Sequence, residues 1–184
     1  MSQVVAIAGS IATNSKSTEL LKLALWHVEA SGFSTKIFSV REMLSNNLIE
    51  GAAKDSLYFK QVAEQLSCAD AVIIAIPFYK AVNSQALKAF LEFFPQKALA
   101  GKIVLAITTG ESQSQLLSID KVLQPVLLAL GAIHVLSGLY VSDEQVVRDR
   151  YGQLLLDKNA QLKFEEKITE LEGKLVQQLD RIAG

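Results

Sequence analysis

The feature that most constrains this chain is the run Asp70-Ala-Val-Ile-Ile-Ala-Ile76, which carries no polar side chain after Asp70 and is stopped by Pro77. A strand with one wet face alternates polar and apolar residues. A strand apolar on both parities must be covered on both faces, as in a parallel sheet sandwiched between helices. Val4 to Ala8, bounded by Gly9, and Lys102 to Thr108 have the same character. Thr35 to Val40 and Ile133 to Val141 are two further candidate strands. Between them lie helical patterns: about Ser17 to Ala30, with leucines at 20, 21, 23 and 25, Trp26 and a stop at Gly32; Asp55 to Ser67; Ser84 to Phe94 before Pro95; residues 113 to 130; and Ala160 to Ile182. Such alternation predicts right-handed crossovers and an open three-layer α/β sandwich.

No repeat, linker or low-complexity tract divides the 184 residues, so one domain spanning 1–184 is expected. The formal charge of -1 excludes a broad nucleic-acid or anionic-membrane footprint. No metal-ligand spacing occurs, and the single cysteine, Cys68, has no internal partner. Neither a secretory signal nor a membrane-length apolar run is present. These features read as a protein of the reducing cytoplasm whose partners are small molecules or protein.

In an open α/β sheet, ligands bind beyond the carboxyl ends of the strands where the winding reverses. The loops after strands one, three and four are therefore the candidates. The first, Gly9-Ser-Ile-Ala-Thr-Asn-Ser-Lys-Ser-Thr18, places hydroxyls at Ser10, Thr13, Ser15, Ser17 and Thr18 before a helix. Any one of them is accounted for as a helix cap. Together they exceed what a cap uses, and with unpaired helix amides they describe a cradle for a phosphate monoester, with Lys16 adding charge from the rim. One glycine is too few for a Rossmann or Walker A loop, which points to a mononucleotide. The second loop, Pro77-Phe-Tyr-Lys80, offers two aromatic rings after a rigid turn. The third, Thr108-Thr-Gly-Glu-Ser112, offers Gly110 for close backbone approach to a flat ring. Phe78 and Tyr79 fit the core as well as a ligand. A phosphorelay receiver is excluded, because Ser10 and Pro77 stand where its acidic residues would be.

The string Ala8-Gly-Ser10, Ser15-Lys-Ser-Thr-Glu-Leu-Leu21, Asp70, Pro77-Phe-Tyr-Lys80, Ser84-Gln-Ala-Leu-Lys88, Ala98-Leu-Ala-Gly-Lys102, Thr109-Gly110 and Pro125-Val-Leu-Leu-Ala-Leu130 resembles the NADPH-dependent FMN reductase family, the alkanesulfonate-utilisation type above all. The resemblance implies a flavodoxin-like fold with a five-stranded parallel sheet in the order 2-1-3-4-5. It implies that Ser10, Ser15, Ser17 and Thr18, with Lys16 at the rim, hold the FMN phosphate, while Pro77, Phe78, Tyr79, Lys80, Thr108, Thr109, Gly110 and Glu111 border the isoalloxazine. NADPH or NADH then supplies hydride, no protein acid or base is required, and reduced flavin is available to a separate acceptor such as a monooxygenase. The chain departs from the family pattern at Ile11-Ala12, where relatives often carry Pro-Arg, and at Lys121, where a tyrosine is usual.

Other residues have plain readings. His27 and His134 lack partners for metal or proton chemistry, and Cys68 reads as a small buried side chain. Pro125 should kink or bulge its helix. Helices apolar around much of their girth, with Leu87, Phe90, Leu91, Phe93 and Phe94 on one and Leu116, Leu117, Val122, Leu123, Val126, Leu127 and Leu128 on the next, predict a homodimer or homotetramer. The rivals to an FMN reductase are an FMN-containing quinone or azo-dye reductase and a flavodoxin-like electron carrier. A carrier would be more acidic, with a denser Thr-Gly first loop.

Overall fold

The computed structural model describes residues 2–45, 57–78, 91–92, 94, 97–111, 121, 123–132 and 134–183. Its sheet is built on β1 (Gln3–Ala8), flanked on one side by β2 (Ser34–Ser39) and on the other by β3 (Ala71–Pro77), all parallel. β4 (Ile103–Gly110) pairs with β3, then β5 (His134–Val135) pairs with β4, giving the order β2-β1-β3-β4-β5. The expected topology is borne out. The chain leaves β1 toward β2 and returns across it to β3, so a crevice opens between the ends of β1 and β3.

Strand alternation divides the core in two. Val5, Ile7, Val72, Ile74, Ile76 and Val104 face one way, under α3 (Leu57–Cys68) and the helical residues 123–129. Val4, Ala6, Ala8, Ile73, Leu105 and Ile107 face the other, under α1 (Lys16–Ala30) and the C-terminal helix, α4 (Lys158–Ala183). Leu20, Leu21, Ala24, Leu25 and Val28 make the buried stripe of α1, whereas Trp26 turns outward. His27 meets Phe164 of α4 edge-on at 5.5 Å. α4 begins two residues before the expected Ala160, where the Asp157 carboxylate accepts the Ala160 N–H at 2.7 Å.

Several boundaries differ from expectation. Val40 opens a short helix, α2 (Val40–Ser45), rather than ending β2. Thr109 and Gly110 are the last residues of β4, not loop, because they pair with Val141 and Ser142. The anticipated fifth strand is broken: β5 is followed by β6 (Leu139–Ser142), also parallel to β4. Between them Leu136 to Gly138 lie opposite only Leu105 and Ala106, three residues against two, which makes a bulge at the break. A hairpin of β7 (Val146–Arg148) and β8 (Leu154–Leu156) was not anticipated. Its turn is stated in the sequence nonetheless, by Asp149, whose carboxylate accepts the Tyr151 and Gln153 N–H groups, and by Gly152 at φ 79°. Cys68 is exposed at the outer end of α3, where Leu66 takes the buried position. The expected helix from Ser84 to Phe94 lies outside the described residues apart from Leu91, Glu92 and Phe94, and the helix around Pro125 is described only from 123 onward, with 121 before it.

Candidate functional site

The end of β1 is held against β3 by the Gly9 N–H, which donates to the Ala75 carbonyl at 2.8 Å. Beyond it the chain turns through a loop in which the Ser10 hydroxyl accepts the Ala12 N–H at 3.1 Å. Ser15 is the residue before the first turn of α1, in extended conformation, yet its side chain does not cap the helix. It turns instead to Ser17, with the two buried Oγ atoms 2.8 Å apart. The Glu19 N–H is the first to find a helical carbonyl, that of Ser15 at 3.0 Å. The amides of residues 16 to 18 are thus the open N-terminal donors of the helix. Of two hydroxyls sharing one hydrogen bond, one keeps its hydrogen for another acceptor.

Ser10, Ala12, Asn14, Ser15 and Lys16 line one cleft of about 310 Å³ together with Pro77 and Asp143. The cleft therefore joins the first loop to the end of β3, as the strand-end rule requires. Ser17 stands behind Ser15, fully buried, and Thr18 is half-buried outside the lining. Phe78, half-buried, donates its N–H to the Thr109 carbonyl at 2.7 Å, which ties the second loop to the end of β4. Tyr79 and Lys80 lie outside the described residues. Thr108 and Thr109 are buried, and neither hydroxyl has a partner among the described residues. Gly110 is buried and Glu111 exposed just past the strand end.

Two residues that sequence reasoning passed over complete the edge. Asp143, directly after β6, accepts the Lys16 ammonium at 2.7 Å. Tyr140, within β6, donates its hydroxyl to the Gly110 carbonyl at 2.8 Å, and burial pushes its pKa up, with Asp143 and Glu111 adding to the effect. The fifth strand end was predictable as part of the same edge. Its polar run Ser142-Asp-Glu-Gln145 was the available signal.

A phosphate monoester suits this arrangement. It supplies acceptors for the open amides and for the hydroxyl hydrogen that the Ser15–Ser17 pair leaves over. Among the described residues there is no group of three or more His, Cys, Asp or Glu side chains able to hold a metal, and no helix long and apolar enough to cross a membrane.

Sheet order and the cleft at the strand ends together define a flavodoxin-like α/β protein. Residues 2–146 match the sequence pattern of NADPH-dependent FMN reductases. The chain is 37% identical over 145 residues to the FMN reductase (NADPH) of Escherichia coli K12, covering 79% of this chain and 75% of that protein. It is 38% identical over 143 residues to the FMN reductase (NADPH) of Pseudomonas putida KT2440, covering 78% and 72%. The crystal structure of an NADH:FMN oxidoreductase in its apo form superposes with a TM-score of 0.81 at 30% identity, over 93% of this chain and 88% of that one. The chain belongs to the NADPH-dependent FMN reductase family.

Proposed function

We infer that this chain is an NAD(P)H-dependent FMN reductase, an oxidoreductase that binds the FMN phosphate in the first loop and the isoalloxazine across the ends of β3 and β4. Membership of the family supports the reaction. The observation that carries the phosphate position is the Ser15–Ser17 hydroxyl pair, 2.8 Å apart, beside open amides at the start of α1.

FMN, when bound, supplies a ring that accepts hydride from the nicotinamide. The chain's own work is binding and exclusion. Ser10, Ser15, Ser17 and Thr18 and the amides of residues 16 to 18 fix the phosphate, with Lys16 at the rim. Residues 77 to 80 and 108 to 111 border the ring, set its plane and limit water beside it. The reduced product passes to a separate acceptor, a flavin-using monooxygenase being the chemistry that fits. The protein works in the cytoplasm as a homodimer or homotetramer. Leu128, 55% exposed on the helix that carries Leu123 and Leu127 inward, supports the association.

Ser15→Ala combined with Ser17→Ala should weaken FMN at least tenfold, about 1.4 kcal/mol, while leaving riboflavin, which has no phosphate, within about twofold. Unchanged FMN titrations refute the phosphate position. The reaction is tested by following NADPH absorbance with FMN and then with quinones. NADPH left untouched at saturating FMN while a quinone is reduced refutes the substrate assignment.

A further inference from the structure

Lys16 is not a free cation. Its ammonium lies 2.7 Å from the Asp143 carboxylate, with the two side chains 33% and 31% exposed, and both residues line the cleft that Ser10, Ser15 and Pro77 share. Resting on the phosphate position inferred above, we propose that Asp143 limits how tightly the first loop holds a phosphate monoester, by neutralising Lys16 before any ligand arrives, and so sets the discrimination between FMN and riboflavin.

The carboxylate is placed there by the fold rather than by a wandering loop. β6 pairs with β4 through Gly110 and Ser142, immediately before Asp143. The turn that follows is closed by Gln145, whose Oε1 accepts both the Ser142 N–H at 3.1 Å and the Ser142 hydroxyl at 3.2 Å. Further along, Arg148 reaches Glu19 of α1 through both guanidinium nitrogens, at 2.9 and 2.8 Å, so the segment is pinned to the first turns of α1 on two sides of the cradle.

Lys16 and Asp143 sum to zero charge. A phosphate dianion entering beside them meets one of two situations. Either it draws Lys16 away at the cost of the 2.7 Å ion pair and keeps the Asp143 carboxylate as its neighbour, or the pair stays intact and only neutral donors hold the phosphate. In both, the lysine contributes less than an unpaired one would, because like charge opposes the dianion at short range in a partly desolvated cleft. Hydroxyls and amides therefore do most of the recognition.

The test is a set of titrations of the flavin-free protein with FMN and with riboflavin, read by quenching of flavin fluorescence, on the wild type, Asp143→Asn, Lys16→Met, the double variant and the Ser15→Ala, Ser17→Ala pair. Asp143→Asn should tighten FMN about three- to tenfold, leave riboflavin within about twofold, and make FMN binding fall more steeply as sodium chloride is raised. Lys16→Met, which removes the ammonium that offsets Asp143, should weaken FMN, and the double variant should return close to the wild type. If Asp143→Asn leaves FMN unchanged or weakens it while the serine pair still weakens it, the inference is overturned and the phosphate position stands. Equal tightening of riboflavin also overturns it. If the serine pair has no effect on FMN, the phosphate position falls and this inference falls with it. Should Asp143→Asn fail to fold, Asp143→Ser takes its place: FMN affinity unchanged or weakened, with the serine pair still weakening it, overturns the proposal.

Discussion

Thr109→Val should move stability and ligand affinity in opposite directions. Thr109 is fully buried, at 0% exposure, and its Oγ1 finds no partner among the described residues. Its backbone is engaged on both sides, since its carbonyl accepts the Phe78 N–H and its strand pairs with Pro77 on β3 and Val141 on β6. Valine has the same shape and the same β-branch, so the exchange leaves strand geometry alone and replaces a stranded hydroxyl with a methyl. A buried hydroxyl without a partner costs about 1–3 kcal/mol, and removing it should raise the stability of the flavin-free protein by at least about 1 kcal/mol. For a domain of this size that is a rise of about 2–4 °C in the thermal midpoint. The same change deletes one hydrogen bond to the proposed ring edge, about 0.5–1.5 kcal/mol, so FMN should bind roughly two- to tenfold more weakly. Urea unfolding without flavin and a fluorescence titration with FMN read the two effects separately. A variant less stable than the wild type by 1 kcal/mol or more would mean that the hydroxyl is satisfied in solution, by a buried water for instance, and the reasoning fails. Unchanged FMN affinity would remove Thr109 from the site while leaving the stability argument intact.

Tyr58 ties the start of α3 to the end of β2: its hydroxyl accepts the Ser39 N–H at 2.8 Å and donates to the Ser39 carbonyl at 2.9 Å. Burial raises its pKa from 10.0 to about 12, so the folded state favours the neutral phenol. The stability this brings is complete below pH 10 and lost as pH rises from 10 toward 12. Tyr58→Phe should start about 1–2 kcal/mol less stable and decline less steeply over that interval, and parallel urea midpoints across the pH series would contradict this. Phe164→Ala empties a fully buried position between α4 and the sheet and should cost about 3–5 kcal/mol in urea unfolding, a loss under 1 kcal/mol showing that the space collapses. Arg148→Ala removes the exposed link to Glu19 and the bond to the Gly152 carbonyl. It should leave the global midpoint nearly unchanged but speed amide exchange in the β7–β8 hairpin, and unchanged exchange would show that the link does not hold the hairpin.

What was legible in the sequence follows from how strongly burial constrains residue choice. β1, β3 and β4 are apolar on both parities because helices cover both faces, and their centres were placed correctly. The end of β1 at Ala8 was also placed correctly, whereas β3 and β4 run on past their expected ends, because strand termination is decided by pairing. Thr109 and Gly110 look like loop until Val141 and Ser142 lie beside them, and Val40 looks like strand until the chain turns into a helix. The break at Leu136 to Gly138 was hidden for a similar reason: each half of the segment reads as strand, and only the register against β4 shows the extra residue. The hairpin was overlooked although Asp149 and Gly152 mark its turn, since short strands of two or three residues carry almost no periodic signal.

The location of the cleft was legible because parallel strands in register bring every carboxyl end to one edge, so Ser10, Ser15 and Pro77 had to converge whatever the side-chain details. Its charge was not. Lys16 and Asp143 are separated by 127 positions, and nothing local to either foretells the other. Counting Lys16 as available to a phosphate treats a residue type as a free charge, whereas the field that a ligand meets belongs to the pair. Position can be deduced from topology alone, but the charge at the first loop depends on the carboxylate that follows β6. The hydroxyls of Ser15 and Ser17, being neutral, are the part of the cradle whose contribution survives that pairing.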